Sequence, residues 1–361
     1  MVRAFETAWS ARFGCRQAVA VSSGTAALHL AVIAAGVSDG DLVITTPFSF
    51  VASANVVLYE RAVPIFVDID PESLAIDPRR VEEAADAIAR GGRDAAAWLP
   101  PSLRPSRRRT PRRLAAVLPV HVFGRAADLD PLMALASRLD VPVIEDACEA
   151  IGTTYRGRAA GTIGRAGAFG FYPNKQMTTG EGGMFVTDDD GWAAVARSLR
   201  NQGREGHRWL DCDRLGYNYR LDELSAALGH AQLARIDELL ARRASVAAMY
   251  AERLAGHERV RMPSIDAPGA SWFVYVVRLD PCIDRDQVMR RLADLGIPTR
   301  AYFPPIHLQT HYRQRFGYRE GMFPIAEAAG RQAIALPFHN HLTGDQVSFI
   351  CEALDAAMRE T

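Results

Sequence analysis

A single lysine, Lys175, stands among the 42 lysines and arginines of this chain; the rest are arginine. A solvated surface is indifferent to which cation it carries, so a lysine kept at one position inside an apolar, glycine-rich stretch marks a place that rejects guanidinium. Arginine stays protonated and delocalised, whereas a desolvated lysine can lose its proton and form an imine with a carbonyl or with pyridoxal phosphate. An arginine-biased genome with one chance survivor gives the same count, but the neighbourhood argues against it. Gly167-Ala168-Phe169-Gly170-Phe171-Tyr172 reads as a short buried strand that Pro173-Asn174 breaks just before Lys175. Thr178-Thr179-Gly180-Glu181-Gly182-Gly183 follows, and then a second strand-like run, Met184 to Thr187. A turn between two buried strands holds an amine rigidly, and its glycines let a ligand come close to the backbone.

Three other segments carry groups that would serve such a lysine. Ile144-Glu145-Asp146 puts a carboxylate at the end of a buried strand. There an aspartate can keep a pyridine nitrogen protonated, so that the ring accepts electrons from a carbanion, or it can simply cap a helix; Lys175 downstream in the same sheet favours the first role. Ser22-Ser23-Gly24-Thr25-Ala26-Ala27 leaves a strand and opens a helix, which suits a phosphate at the positive end of the helix dipole and equally suits a plain serine cap. Phe48-Ser49-Phe50 offers an aromatic face for a cofactor ring, though an aromatic there also fits a core. The pairs His307/His311 and His339/His341 lack a third ligand of matching type, so no metal site is expected.

The elements that must position these groups alternate along the first two-thirds of the chain. Candidate strands are Ala18 to Val21, Leu42 to Thr45, Pro64 to Val67, Ala115 to Val120, Val143 to Ile144, Ala168 to Phe171 and Met184 to Val186, with helical stretches between them. This pattern predicts an α/β fold with a mainly parallel sheet of seven strands and helices on both faces. Leu221 to Leu254 reads as one long helical run, and Pro263 to Gly269 as a boundary. Beyond it, strand and helix patterns predict a smaller C-terminal α+β domain. The division expected is a large domain over 1–240 and a small one over 241–361.

Bulk properties narrow the function classes. At 361 residues and 48% hydrophobic, the chain can bury a large core or two joined ones. Net charge is zero, so no global field draws it to nucleic acid or an anionic membrane. No apolar run reaches the length of a membrane span and the first residues lack a signal core, which points to a soluble, cytoplasmic protein. Five scattered cysteines argue against both a disulfide framework and a zinc site. The arginine- and proline-rich stretch from Arg93 to Arg113 has the composition of a solvated loop.

Taken in order, SSGTAALHLA, TTPFSFVASA, LPVHVFG, EDACEAIG, FYPNKQMTTGEGGM, GYNYRLDELSAALGHAQL and, more loosely, YFPPIHLQ resemble the DegT/DnrJ/EryC1/StrS family of sugar aminotransferases over nearly the whole chain. The resemblance implies the pyridoxal-phosphate fold type I architecture of aspartate aminotransferase. It implies that Lys175 carries the cofactor as an imine and moves the proton, that Asp146 pairs with the pyridine nitrogen, and that Phe50 stacks on the ring. Gly24 and Thr25 would contact the phosphate, and Glu149 would stand near the phenolic oxygen, where the family often has Gln or His. Asn218 would reach the phosphate from a neighbouring subunit, making a homodimer with shared active sites. Glutamate would donate the amino group, by a ping-pong route, to a 3- or 4-keto group of a nucleotide-linked sugar. Arg200, Arg204, His207, Tyr302 and His307 are candidate substrate contacts. Three departures stand out: Gly170 occupies the place of a common phosphate-binding serine, the chain starts close to Phe5, and Arg93 to Arg113 resembles an insertion. A dehydratase of the same family would have histidine in place of Lys175. A cyclitol ketone as acceptor, and a non-catalytic regulator that keeps the cofactor, are the rival readings; a regulator would be expected to carry a helix-turn-helix or a basic face, which the sequence lacks.

Overall fold

The computed structural model describes residues 1–104, 112–205, 211–264 and 269–359. Seven short, almost wholly buried strands form its centre: β1 (Gln17–Val21), β2 (Leu42–Thr45), β3 (Val63–Phe66), β4 (Leu114–Val117), β5 (Ile144–Asp146), β8 (Ala166–Gly170) and β9 (Gly183–Thr187). Between β5 and β8 lies a two-stranded hairpin, β6 (Thr154–Tyr155) and β7 (Arg158–Ala159). The order β1-β9-β8-β5 makes one sheet and β3-β2-β4 another, and parallel bridges Val117↔Val143 and Val120↔Asp146 join them edge to edge.

The pairings β2–β3, β2–β4 and β5–β8 are parallel, but β9 runs antiparallel to both β1 and β8. The exception to parallel pairing among the seven strands is β9, the strand that follows Lys175. A turn, rather than a helical crossover, joins β8 to β9, and a turn can only reverse the chain. Helix Gly24–Ala34 buries every residue from Ala26 to Val32 and lies across β8 and β9, which is why those residues are apolar apart from His29, whose ring pairs with Tyr219 and Glu60.

The predicted helical run from Leu221 is two helices, Glu223–Leu233 and Ile236–Leu254, the first capped by Asp222 accepting from the N–H groups of Leu224 and Ser225. The second passes through position 240 without a break. Strands β10 (Val260–Arg261), β11 (Tyr275–Leu279) and β12 (Ala333–Leu336) form an antiparallel sheet. With helices Arg285–Asp294 and Gly344–Arg359 it encloses a core that includes Tyr250, Tyr275, Leu292 and Leu354. The arginine-rich stretch contains helix Gly92–Trp98 and a single turn at Pro101–Leu103; residues 105–111 lie outside the described residues.

Candidate active site

The C-terminal ends of β1, β2, β5 and β8 and the start of β9 surround a cavity of about 770 Å³. Lys175 enters it from the β8–β9 turn, where its N–H donates to Tyr172 O at 2.9 Å. Gly182 closes that turn: a Cβ there would lie 2.3 Å from Thr179 Oγ1 and 3.3 Å from the Phe171 ring, so only glycine lets the chain return. The Lys175 side chain is 15% exposed; its Nζ sits 3.7 Å from Glu149 Oε1 and 3.9 Å from the centre of the Phe273 ring.

Asp146 stands at the end of β5, its backbone fixed by Asp146 N–H to Pro119 O and His121 N–H to Asp146 O. One carboxylate oxygen accepts from Cys148 N–H at 3.1 Å. Burial raises its carboxyl above the ordinary value, and the hydrogen bonds from Cys148 and the charge of Lys175 only partly offset this. Such a desolvated acid fits a protonated pyridine nitrogen. Glu149 is likewise raised by burial, against the Lys175 charge and the Phe123 N–H that donates to Oε2 at 3.0 Å. Beneath Asp146, Glu145 accepts from the N–H groups of Gly161, Ile163 and Gly164 and from His121 Nε2. Burial alone would raise its carboxyl, but His121 and these N–H groups hold it below the ordinary value.

At the far end, Ser23 caps helix Gly24–Ala34 by accepting from Ala26 N–H at 3.0 Å. The first N–H groups of a helix have no partner inside it, so this end of the cavity suits a phosphate. Gly24 lets the helix approach β8: a Cβ there would lie 2.7 Å from Cys148 Sγ and 3.1 Å from Gly170 Cα. Gly170 itself has room, since its added Cβ would find nothing nearer than 3.5 Å. A phosphate cradle, an amine and a buried acid thus share one cavity, an arrangement that fits pyridoxal phosphate.

Of the residues singled out in the sequence, Gly24, Thr25, Phe50, Asp146, Glu149, Lys175 and Tyr302 line this cavity. Phe50 is 62% exposed at its wall. Two candidate substrate contacts lie away from this cavity. Arg200 does not line the cavity; its guanidinium is held by Glu6 and by Ala20 O. His307 is fully buried, its Nε2 3.0 Å from Glu327 Oε1, because the 3-10 turn Ile306–Leu308 points it into the core. Arg204 also lies off the cavity, and Asn218 is exposed, bridged through its backbone to Asn201. His207 lies outside the described residues. Phe273 and Cys148 were missed: neither an apolar residue in a strand run nor a lone cysteine signals a site. Among the described residues no three His, Cys, Asp or Glu side chains group to hold a metal ion, and no helix is long and apolar enough to cross a membrane.

Residues 1–355 match the model of the DegT/DnrJ/EryC1/StrS aminotransferase family. The chain belongs to that family. It is 38% identical over 358 residues to the GDP-perosamine synthase of Caulobacter vibrioides, covering 98% of this chain and 89% of that protein. A crystal structure of S. venezuelae DesV in complex with a ketimine intermediate is 33% identical and superposes with a TM-score of 0.85, over 99% of this chain and 89% of the other. The structure of NtdA from Bacillus subtilis with bound cofactor PMP is 27% identical, with a TM-score of 0.84 over 99% and 77% of the two chains. This aminotransferase has the fold of the pyridoxal-phosphate fold type I enzymes, and pyridoxal phosphate is its cofactor.

Proposed function

We propose that this aminotransferase moves an amino group from glutamate to the 3- or 4-keto group of a nucleotide-linked sugar, the two substrates using one cavity in turn. The observation that carries the reading is the placing of Lys175 Nζ between Glu149 and Phe273 in the cavity that also holds the buried Asp146. Bound there, pyridoxal phosphate supplies an electron sink for the charge left when the substrate carbon loses its proton. Asp146, desolvated and without a cation in direct contact among the described residues, holds a proton at the pyridine nitrogen. Gly24 and Thr25 bind the phosphate, and Phe50 orients the ring from its face. Lys175 takes the proton from the substrate carbon and returns it, which requires a neutral amine for part of the cycle. The walls contributed by Phe273, Tyr302 and Phe303 exclude water from that transfer.

The nucleotide-linked acceptor is supported by the likeness to GDP-perosamine synthase, and a cavity of this size accommodates a sugar beside the cofactor. A homodimer completes the site in this reading. Phe50, Tyr59, Tyr172, Leu215, Leu224 and Leu228 are large apolar side chains left exposed, and Asn218 lies on the same kind of open surface, available to a second copy. Arg204 and His207 are the remaining candidates for the nucleotide's phosphates. The chain divides into a cofactor-binding domain over 1–240 and a small domain over 241–361, and works in the cytoplasm. A panel of nucleotide-linked 3-keto and 4-keto sugars, each assayed with glutamate for 2-oxoglutarate release, tests the function. Turnover of one member is expected; no turnover with any of them, alongside turnover of a cyclitol ketone, overturns the sugar assignment.

A further inference from the structure

Helix Ile236–Leu254 buries one guanidinium that has no carboxylate partner among the described residues. Arg243 is 6% exposed, and its two terminal nitrogens donate to four backbone carbonyls. Nη1 reaches Trp272 O at 3.3 Å and Phe273 O at 3.0 Å, while Nη2 reaches Asn174 O at 3.4 Å and Lys175 O at 2.9 Å. Its Nε has no partner among the described residues, and burial lowers its pKa to about 10. Burying a cation without a counter-charge is costly, and an apolar side chain of similar length would fill the same space without that cost. The guanidinium adds contacts that an apolar chain cannot make, to the four carbonyls and to the face of the Phe338 ring 5.6 Å from its Cζ. The carbonyls come from two segments far apart in the chain: the turn that carries Lys175, and the entry to β11 that carries Phe273.

Because one planar fork holds Lys175 O and Phe273 O together, the side chains leaving those two residues are held in a fixed relation, with Nζ 3.9 Å from the centre of the ring. The negative face of an aromatic ring attracts an ammonium. Nζ rests between that ring and Glu149, whose Oε1 lies at 3.7 Å. We propose that Arg243 is a positioning residue for the cofactor-bearing lysine: it ties the Lys175 turn to Phe273 and so presents the ε-amine at a single place in the cavity. This inference rests on Lys175 as the cofactor's attachment point and not on the sugar acceptor.

The chain's one lysine gives a direct readout, because biosynthetic [ζ-15N]lysine labels only Lys175. In the cofactor-free full chain, the Nζ-attached proton resonance should be displaced by the ring current of Phe273. In Arg243→Met the displacement should collapse, as it should in Phe273→Leu. In the holoenzymes, the pH midpoint of the cofactor's visible absorption should move in both variants. Arg243→Met should lower kcat of the donor half-reaction on the order of 100-fold. Its KM should stay within about twofold, because the loss is in placement and not in substrate binding. Arg243→Lys keeps the charge but not the fork, and should not restore kcat. An unchanged Nζ resonance with an unchanged absorption midpoint in folded Arg243→Met overturns the proposal. If the Arg243 variants do not fold, Phe273→Leu decides it, and a resonance that keeps its wild-type displacement there, with an unchanged absorption midpoint, overturns it equally.

Discussion

Glu145→Gln is the substitution whose cost can be worked most directly from the geometry beneath Asp146. Glu145 is fully buried, and each of its oxygens accepts two hydrogen bonds. Oε1 accepts from Ile163 N–H and Gly164 N–H, both at 2.6 Å; Oε2 accepts from Gly161 N–H at 2.7 Å and from His121 Nε2 at 2.8 Å. His121 cannot reverse its role, because its Nδ1 already accepts from Ala127 N–H at 3.1 Å, so the proton sits on Nε2. Glutamine offers one oxygen. It can serve one pair of donors, and its NH₂ must then face the other pair. Two hydrogen bonds to a charged acceptor are lost, at about 1.5–3 kcal/mol each, or roughly 3–6 kcal/mol together. Against a total stability on the order of 5–15 kcal/mol that is a severe loss. Urea unfolding of both proteins measures it as a lower midpoint at unchanged slope. A loss below about 1 kcal/mol would refute the assignment of these four donors to one ionised acceptor.

The pH dependence of the same pair of proteins is a second check. Glu145 is held below its ordinary value in the folded state, so its contribution is fully present above the unfolded carboxyl pKa and is lost as pH falls through the lower folded value. The stability gap between wild type and Glu145→Gln should be flat near neutrality and shrink on acidification. A gap that persists undiminished through the acidic range contradicts the argument.

Lys175→Ala and Lys175→Arg should both abolish the absorption of the lysine–cofactor imine and all transamination; activity in the arginine variant would contradict the nucleophile argument. Gly24→Ala places a methyl 2.7 Å from Cys148 Sγ and should weaken cofactor affinity roughly tenfold, measured by titrating the cofactor-free protein, with partial recovery on adding Cys148→Ala. Gly170→Ser meets nothing nearer than 3.5 Å, so its stability should stay within about 0.5 kcal/mol of wild type while cofactor binding tightens through the new hydroxyl; weaker binding would show that this position does not face the phosphate. Glu149 is raised by burial, so Glu149→Gln should gain stability relative to wild type as pH rises from the unfolded carboxyl range through the raised folded value, and a flat difference would contradict it.

The groups legible in the sequence were those whose chemistry is rare where they stand. Lys175 is the only lysine, and Asp146 ends a short strand, so each was conspicuous without any knowledge of the fold. The β8–β9 turn was legible for the same reason, since glycines and a proline break two apolar runs. The direction of β9 was not, because a buried strand is apolar on both faces whichever way it runs. β12 was missed because Ala-Ile-Ala-Leu, following directly on helix Pro324–Gln332, carries no alternation to separate it from that helix. His307 shares YFPPIHLQ with Tyr302 and Phe303, which line the cavity, but it lies in the 3-10 turn Ile306–Leu308 and faces Glu327.

Arg243 was invisible for a different reason. It is one arginine in Ala241-Arg242-Arg243-Ala244, on a helix with charged neighbours, and nothing local distinguishes it from Arg242, which pairs with Glu238 at the surface. Only burial separates the two, and burial here follows from a contact between segments about 70 and 30 residues away. The two cations of this site are thus opposite cases of one rule. In the proposed roles, Arg243 uses a planar fork that serves several carbonyls and never gives up its proton, and Lys175 uses a compact amine that does. An exchange in either direction conserves charge and removes what each position requires, so a chain otherwise uniform in arginine retains its one lysine next to the guanidinium that holds it.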